Sequence, residues 1–426
     1  KAPASKIGID VLKSGGNAID AAIAVAFALS VTHPSAGNLG GGGFAVINFS
    51  NGTSTSIDFR ETAPGSSHSK MFLDYNDEVI DGLSKNSILS SGVPGSVAGL
   101  GYMHDKYGVL DWKQLVLPSI LLAKYGFNLD PHNTSILNNP ELKDKLSRFR
   151  ETKNIFTKEN NFELNELFIQ EDFSKVLERI SEYGYKEFYN GLTADKIVKT
   201  MEKHGGIITH KDLNNYTPIE SDPIKFVYKD YNIISMPPSS SGGITLALIL
   251  NQFENVDLSS ISFHDALHVH YLVESEKRAY AERHKYLGDP SFVHIPTDML
   301  VSQNYADSLF FTINNTISTK SVDIYNDGIF IYEESDETTH LSVIDNNGNC
   351  VSLTTSLNGW FGNGITVTDS GFLLNNEMDD FSAKPGYPNT YGLIGSEANS
   401  KEPKKRMLSS MTPTIIEKNG ELFLAL

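Results

Sequence analysis

The stretch SDETTHLSVIDNNGNCVSLTTSLNGWFG, residues 335–362, breaks an acidic run at two threonines and a histidine, just where strand-like alternation begins. After Thr338, Leu341 and Val343 face one way and Ser342 the other, and the apolar set resumes at Val351 and Leu353 beyond DNNGN. The spacing predicts a β-hairpin. Its turn holds Asn347-Gly348, a pair suited to the positive φ of tight turns, and any choice of central pair brings Thr338 beside residues 355–357. Read locally, hydroxyl residues in such a place are the wet face of an exposed strand. What else a threonine does at the mouth of a strand depends on the rest of the chain.

With 426 residues the chain can bury a substantial core, as one large domain or about two to three ordinary ones. Its 40% hydrophobic and 20% charged residues are those of a globular protein rather than a disordered one. The balance of 35 basic against 52 acidic residues gives −17, a field that repels nucleic acid and anionic membrane surfaces, so neither is expected as a partner. A single cysteine, Cys350, excludes an intramolecular disulfide and any multi-cysteine metal site, and is expected in a buried strand. The most apolar segment, AIDAAIAVAFALSV from Ala18, is interrupted by Asp20 and too short to cross a bilayer, so it reads as a buried helix. No transmembrane span or targeting peptide is visible. The chain starts at Lys1 and stops within the apolar run ELFLAL, so both ends are expected to be cut from a longer protein.

Outward from the hairpin, residues 1–65 carry a helix (KIGIDVLKSGG), the apolar helix after Asn17, the loop NLGGGG and two strands, FAVINFS and STSIDFR. Such alternation predicts a layered α/β domain. Residues 66–220 read as mainly helical, with Asp111 and Asp172 placed as N-caps of DWKQLVLPSILLAKYG and FSKVLERISEYGYKEFYNG. A strand signal returns at YNIISMPP, followed by a Ser/Gly turn into the helix of SSSGGITLALIL and the long helical stretch DALHVHYLVESEKRAYAERHKYLGDP. From about residue 333 the pattern is strand, turn and loop.

NLGGGGF lacks the Lys-Ser/Thr end of a phosphate loop and runs into a strand, so its glycines predict close backbone packing. His33, His264, His268, His270 and His284 lie without acidic partners at metal-ligand spacing, and no metal or other cofactor is expected. No G-x-S-x-G elbow occurs. DFRETAP ends a strand with Arg60 between Asp58 and Glu61: either a surface ion pair or a guanidinium fork for a substrate carboxylate. NNEMDDFS crowds three acids together, either as an acidic turn or as a cluster that a substrate ammonium compensates. KPGYPNTYGLIG reads as an ordered loop able to open and close, and RMLSSMTP places Ser409 and Ser410 before a strand.

Taken together, these pieces resemble the γ-glutamyltransferase (glutathione hydrolase) family of N-terminal nucleophile hydrolases. GGNAIDAAIA, GNLGGGGF, DFRETAP, SGVPGSVAGL, MPPSSSGG, YLGDP, TTHLSVIDNNGN, LLNNEMDDFS, PGYPNTYGLIG and KRMLSSMTPT run in order along nearly the whole chain. The resemblance implies an α/β (α+β) fold, a four-layer αββα sandwich formed jointly by a helix-rich large subunit, residues 1–337, and a small subunit, residues 338–426, incomplete at its C-terminus. It implies one precursor that cuts itself between Glu337 and Thr338, leaving Thr338 as an N-terminal nucleophile. The substrates implied are glutathione or other γ-glutamyl compounds, with water, amino acids or peptides as acceptors. Poly-γ-glutamate processing, β-lactam deacylation and a non-catalytic binding scaffold stand as alternatives. Bacterial members are usually exported, so a periplasmic or secreted location is expected.

Residue by residue, the resemblance implies that Arg60, Ser409 and Ser410 hold the glutamyl α-carboxylate, and that Asn358, Glu377 and Asp380 hold its α-ammonium. Thr339 and Ser356 are implied as supports of Thr338, and the loop around Tyr391 as a lid over the glutamyl pocket. The family's oxyanion-hole glycines, in a GSPGG-type motif, are expected beyond Leu426.

Overall fold

The protein is described here by a computed structural model, which covers residues 1–324, 338–384, 386, 387, 389 and 395–426. Among these, the strands are β1 (Gly42–Asn48), β2 (Ser54–Asp58), β3 (Phe127–Asn128), β4 (Leu167–Phe168), β5 (Ile219–Ser221), β6 (Ile224–Tyr228), β7 (Tyr231–Ser235), β8 (Thr339–Ile344), β9 (Cys350–Ser356), β10 (Thr414–Lys418) and β11 (Glu421–Ala425). Five form one sheet in the order β5-β2-β1-β9-β8 and four form a second in the order β11-β10-β7-β6, while β3 pairs with β4 alone. The predicted hairpin is β8 and β9, joined through residues 345–349, with Gly348 at φ +88°. Antiparallel register sets Thr339 opposite Thr355, so Thr338 falls beside Ser356.

Period-two alternation explains how the sheets stack. Phe44 and Val46 of β1 and Cys350 of β9 meet Ile234 of β7, Met236 and Ile415 of β10 in one buried cluster, which is the seam between the two sheets. The intervening residues Ala45, Ile47, Val351 and Leu353 turn the other way, onto the helix Ala18–Thr32. All residues of that helix are buried, and Asn17 starts it with a capping box closed by Asp20. On the far side, Ile224, Phe226 and Ile233 pack against Ile244, Ala247 and Leu248 of the helix Gly242–Phe253, with the helix Ala266–Tyr286 behind it. The order is helix, sheet, sheet, helix.

Two local readings change. Asp111 stands at the N-cap of its helix but makes no side-chain cap hydrogen bond. Asp172 lies inside the first turn of the helix Glu171–Tyr183, whose N-cap is Gln170; there its charge complements the helix dipole instead of capping it. Strand β1 also starts two residues before Phe44, because the glycines of NLGGGG themselves join the ladder opposite Ser356 and Thr355. A Cβ at Gly41 would collide with the carbonyl oxygen of Ser356, and one at Gly43 with that of Thr354. The glycines therefore serve close approach of backbones. No helix among the described residues is long and apolar enough to cross a membrane.

Candidate active site

One row of residues crosses the end of the five-stranded sheet. Thr339 pairs with Thr355, Thr355 with Gly43, and Gly43 exchanges backbone hydrogen bonds of 3.3 and 3.0 Å with Phe59. One step beyond that row lie Thr338, Ser356, Gly42 and Arg60. With strands spaced by about 4.8 Å, Thr338 and Arg60 stand three strands apart along one sheet mouth, a span that the long Arg60 side chain and a small substrate can bridge together. Residues 278 positions apart in sequence thus share one sheet mouth because β1 and β9 are partners.

Thr338 is exposed at this mouth, directly before β8. Thr339 is buried, and among the described residues its Oγ1 has no hydrogen-bond partner. Ser356 Oγ accepts 2.8 Å from the backbone N–H of Asn358, and Thr355 Oγ1 donates 2.8 Å to the carbonyl of Gly42. Asn358 holds φ +72°, and its Nδ2 donates 3.0 Å to the carbonyl of Asn376, tying the end of β9 to the residue before Glu377.

Arg60 is 1% exposed. Its Nη1 lies 2.6 Å from Glu377 Oε2 and 3.9 Å from Glu61 Oε2, and its Nη2 donates to Asp380 Oδ2. Asp58 fixes the turn that carries it: Oδ1 accepts 2.8 Å from the Arg60 N–H, and Oδ2 accepts 2.8 Å from Ser239 Oγ. The same loop of serines holds Ser409, whose N–H donates 3.0 Å to Ser239 and whose carbonyl accepts from Ser241 N at 2.7 Å and Ser241 Oγ at 2.8 Å. Arg283 completes this side, donating 2.9 Å from Nε to Ser241 Oγ and 3.4 Å from Nη2 to Ser410 Oγ.

The charges are unequal. One guanidinium faces the carboxyls of Glu61, Glu377 and Asp380. Burial, and the neighbouring Asp380, push Glu377 up to about 8, although Arg60 pulls the other way. Burial raises Asp380 as well, against the pull of Arg60, and burial together with Glu377 holds Glu61 well above the usual carboxylate range. Burial opposes the charge on Arg60, yet Glu377, Asp380 and Glu61 keep its pKa above the ordinary value. The carboxyls outnumber the guanidinium between them, and burial favours keeping protons on them until a cation enters, while Arg60, Arg283 and the hydroxyls of Ser409 and Ser410 offer donors to an anion. A group bearing an ammonium and a carboxylate on one carbon satisfies both demands.

The fold therefore gathers Arg60, Glu377, Asp380, Asn358, Ser409 and Ser410 with Thr338, Thr339 and Ser356 at one sheet mouth. Glu337 and Tyr391 lie outside the described residues. Sequence reading passed over Arg283, which nothing local separates from a surface arginine on a helix, and over the structural weight of Glu61 and Asp58, visible there only as neighbours of Arg60.

Two packed sheets between helical layers form the fold of the N-terminal nucleophile hydrolases. The backbone is similar to that of gamma-glutamyltranspeptidase from Helicobacter pylori, with a TM-score of 0.73 and 43% identity over 75% of this chain and 92% of that one. It is also similar to cephalosporin acylase from Bacillus halodurans, with a TM-score of 0.83 and 25% identity over 99% of this chain and 74% of that one. The sequence model of the Gamma-glutamyltranspeptidase family matches residues 4–426, and the chain belongs to that family. Its relatives include the glutathione hydrolase proenzyme of Escherichia coli (strain K12), 45% identical over 432 residues, 99% of this chain and 73% of that protein. The glutathione hydrolase proenzyme of Pseudomonas sp. (strain A14) is 43% identical over 418 residues, 98% of this chain and 72% of that protein.

Proposed function

We propose that the protein is a self-processing γ-glutamyltransferase and glutathione hydrolase with Thr338 as its nucleophile. The observation that carries this reading is the placement of Thr338 at the sheet mouth that also holds the Arg60, Glu377 and Asp380 cluster. An interior residue of a poly-γ-glutamate chain has no free ammonium, so the cation-seeking cluster favours a free γ-glutamyl end.

In the precursor, the Thr338 hydroxyl attacks the carbonyl carbon of Glu337. The C–N bond breaks as the nitrogen takes up a proton, leaving an ester that water opens. The products are a large subunit, residues 1–337, and a small subunit beginning at Thr338. The new α-amine has an ordinary pKa of roughly 8 and serves as the base that the weak threonine hydroxyl needs. In turnover, Thr338 Oγ attacks the γ-amide carbonyl of glutathione or a related compound. The amide C–N bond breaks, the leaving amine gains a proton, and a γ-glutamyl ester remains on Thr338. Water yields glutamate from it; an amino acid or peptide amine yields a new γ-glutamyl amide.

Arg60, Ser409 and Ser410 receive the α-carboxylate in this reading, and Asn358, Glu377 and Asp380 the α-ammonium. Thr339 and Ser356 orient Thr338, and Tyr391 belongs to a lid. A periplasmic or secreted location goes with the same reading. The test is release of p-nitroaniline from γ-glutamyl-p-nitroanilide by the purified full-length protein. Turnover is expected in the wild type and none in Thr338→Ala; an inactive wild type overturns the reading.

A further inference from the structure

Lys401 is a buried cation that the mechanism above does not use. It is 2% exposed, and its Nζ donates 2.6 Å to the carbonyl of Ser382 and 3.0 Å to that of Ala383, 5.3 Å from the centre of the Phe72 ring. Among the described residues no carboxylate lies within ion-pair distance of it. An ammonium held this way has given up its water for two carbonyls and an aromatic face, which is costly unless the geometry it enforces is worth keeping. Burial accordingly pulls its pKa down to about 8, with only the charge of Asp379 opposing.

The two carbonyls belong to the segment that directly follows the 3-10 turn Glu377–Asp380. The neighbouring Asn399 reinforces the grip. Its Nδ2 donates 2.7 Å to the carbonyl of Asp380, its own carbonyl accepts 3.1 Å from Ser382 N–H, and its Oδ1 accepts 3.0 Å from Leu408 N–H, next to Ser409. Residues 399–401 thus clasp 380–383 on one side and the serine pair on the other. Removing the Lys401 donors leaves two carbonyls without their partner at the point where the chain leaves Asp380.

We infer that Lys401 is a positioning residue for the ammonium half of the γ-glutamyl site, holding the Asp380 carboxylate in place through the carbonyls of Ser382 and Ala383. This rests on the proposed reading of Asp380. It touches no reacting atom, so its loss weakens recognition of the ammonium and leaves self-processing at Thr338 unchanged.

The experiment compares two donors on the full-length processed protein: γ-glutamyl-p-nitroanilide, and glutaryl-p-nitroanilide, which keeps the carboxylate and lacks only the ammonium. Lys401→Met is expected to lower kcat/KM for the γ-glutamyl donor by about tenfold, mainly through KM, and to lower it several-fold less for the glutaryl donor, which meets Asp380 only through Arg60. Lys401→Gln, which keeps an uncharged N–H donor group on a shorter stem, is expected between wild type and Lys401→Met, and it supplies the comparison should Lys401→Met fold poorly. An equal loss on both donors, or no loss on the γ-glutamyl donor in either variant, overturns the inference. A wild type that handles both donors equally instead overturns the underlying assignment of Asp380, which separates the two failures.

Discussion

Nη1 of Arg60 lies 2.6 Å from Oε2 of Glu377, a fully buried ion pair between a residue just beyond β2 and one that follows β9 by some twenty positions. The pair joins the two halves of the chain at the mouth where Thr338 stands, and it also sets the charge that a substrate meets.

Replacing Arg60 by lysine keeps the charge but loses the planar fork that reaches Glu377 and Asp380 together. Donor KM is expected to rise by about 10- to 100-fold, since hydrogen bonds to charged groups are worth roughly 1.5–3 kcal/mol. Arg60→Met leaves buried carboxylates uncompensated and is expected to destabilise the protein by about 3–5 kcal/mol. Steady-state kinetics and denaturant unfolding check the two effects.

The raised Glu377 gives a pH signature. Its folded value is about 8 against an ordinary 4.5, so the folded state favours the protonated form. The stability this contributes is fully present below pH 4.5 and is lost as pH rises through 8. An entering ammonium favours the ionised carboxylate, so binding of a non-hydrolysable γ-glutamyl analogue at pH 7 is expected to release protons. Calorimetry in buffers of different ionisation enthalpy measures this release, and Glu377→Gln is expected to reduce it.

Ser356 Oγ accepts the N–H of Asn358, a residue held at φ +72°. Ser356→Ala removes the hydroxyl that accepts this buried N–H and lets the end of β9 relax, at a cost of about 0.5–1.5 kcal/mol. Both kcat and the rate of self-processing are expected to fall by about 10- to 100-fold, read from p-nitroaniline release and from the time course of subunit formation.

At Gly41 any side chain meets the carbonyl of Ser356. Gly41→Ala is expected to push β1 away from β9 and so separate Arg60 from Thr338, lowering the melting temperature and slowing self-processing together.

Much of this was legible in the chain itself. The hairpin followed from the alternation around DNNGN and the close packing of the glycines from the lack of a phosphate-loop ending, because both are local patterns. The pairing of β1 with β9, which brings Arg60 to the sheet mouth of Thr338, is long-range and left no local mark; the family resemblance implied a shared site for the two residues but not this pairing. Arg283 stayed hidden because its importance comes from the serines of two distant loops, Ser241 and Ser410, and not from its own helix. Asp172 misled because an acid serves the first turn, through the helix dipole, as well as the cap.

The most direct test of the central claim is the intact mass of the purified full-length protein before and after incubation, beside Thr338→Ala. The account predicts two fragments in the wild type, one with Thr338 as its new N-terminus, and one uncut chain in the variant. A single uncleaved mass in both, or cleavage that leaves a different N-terminus, would contradict it.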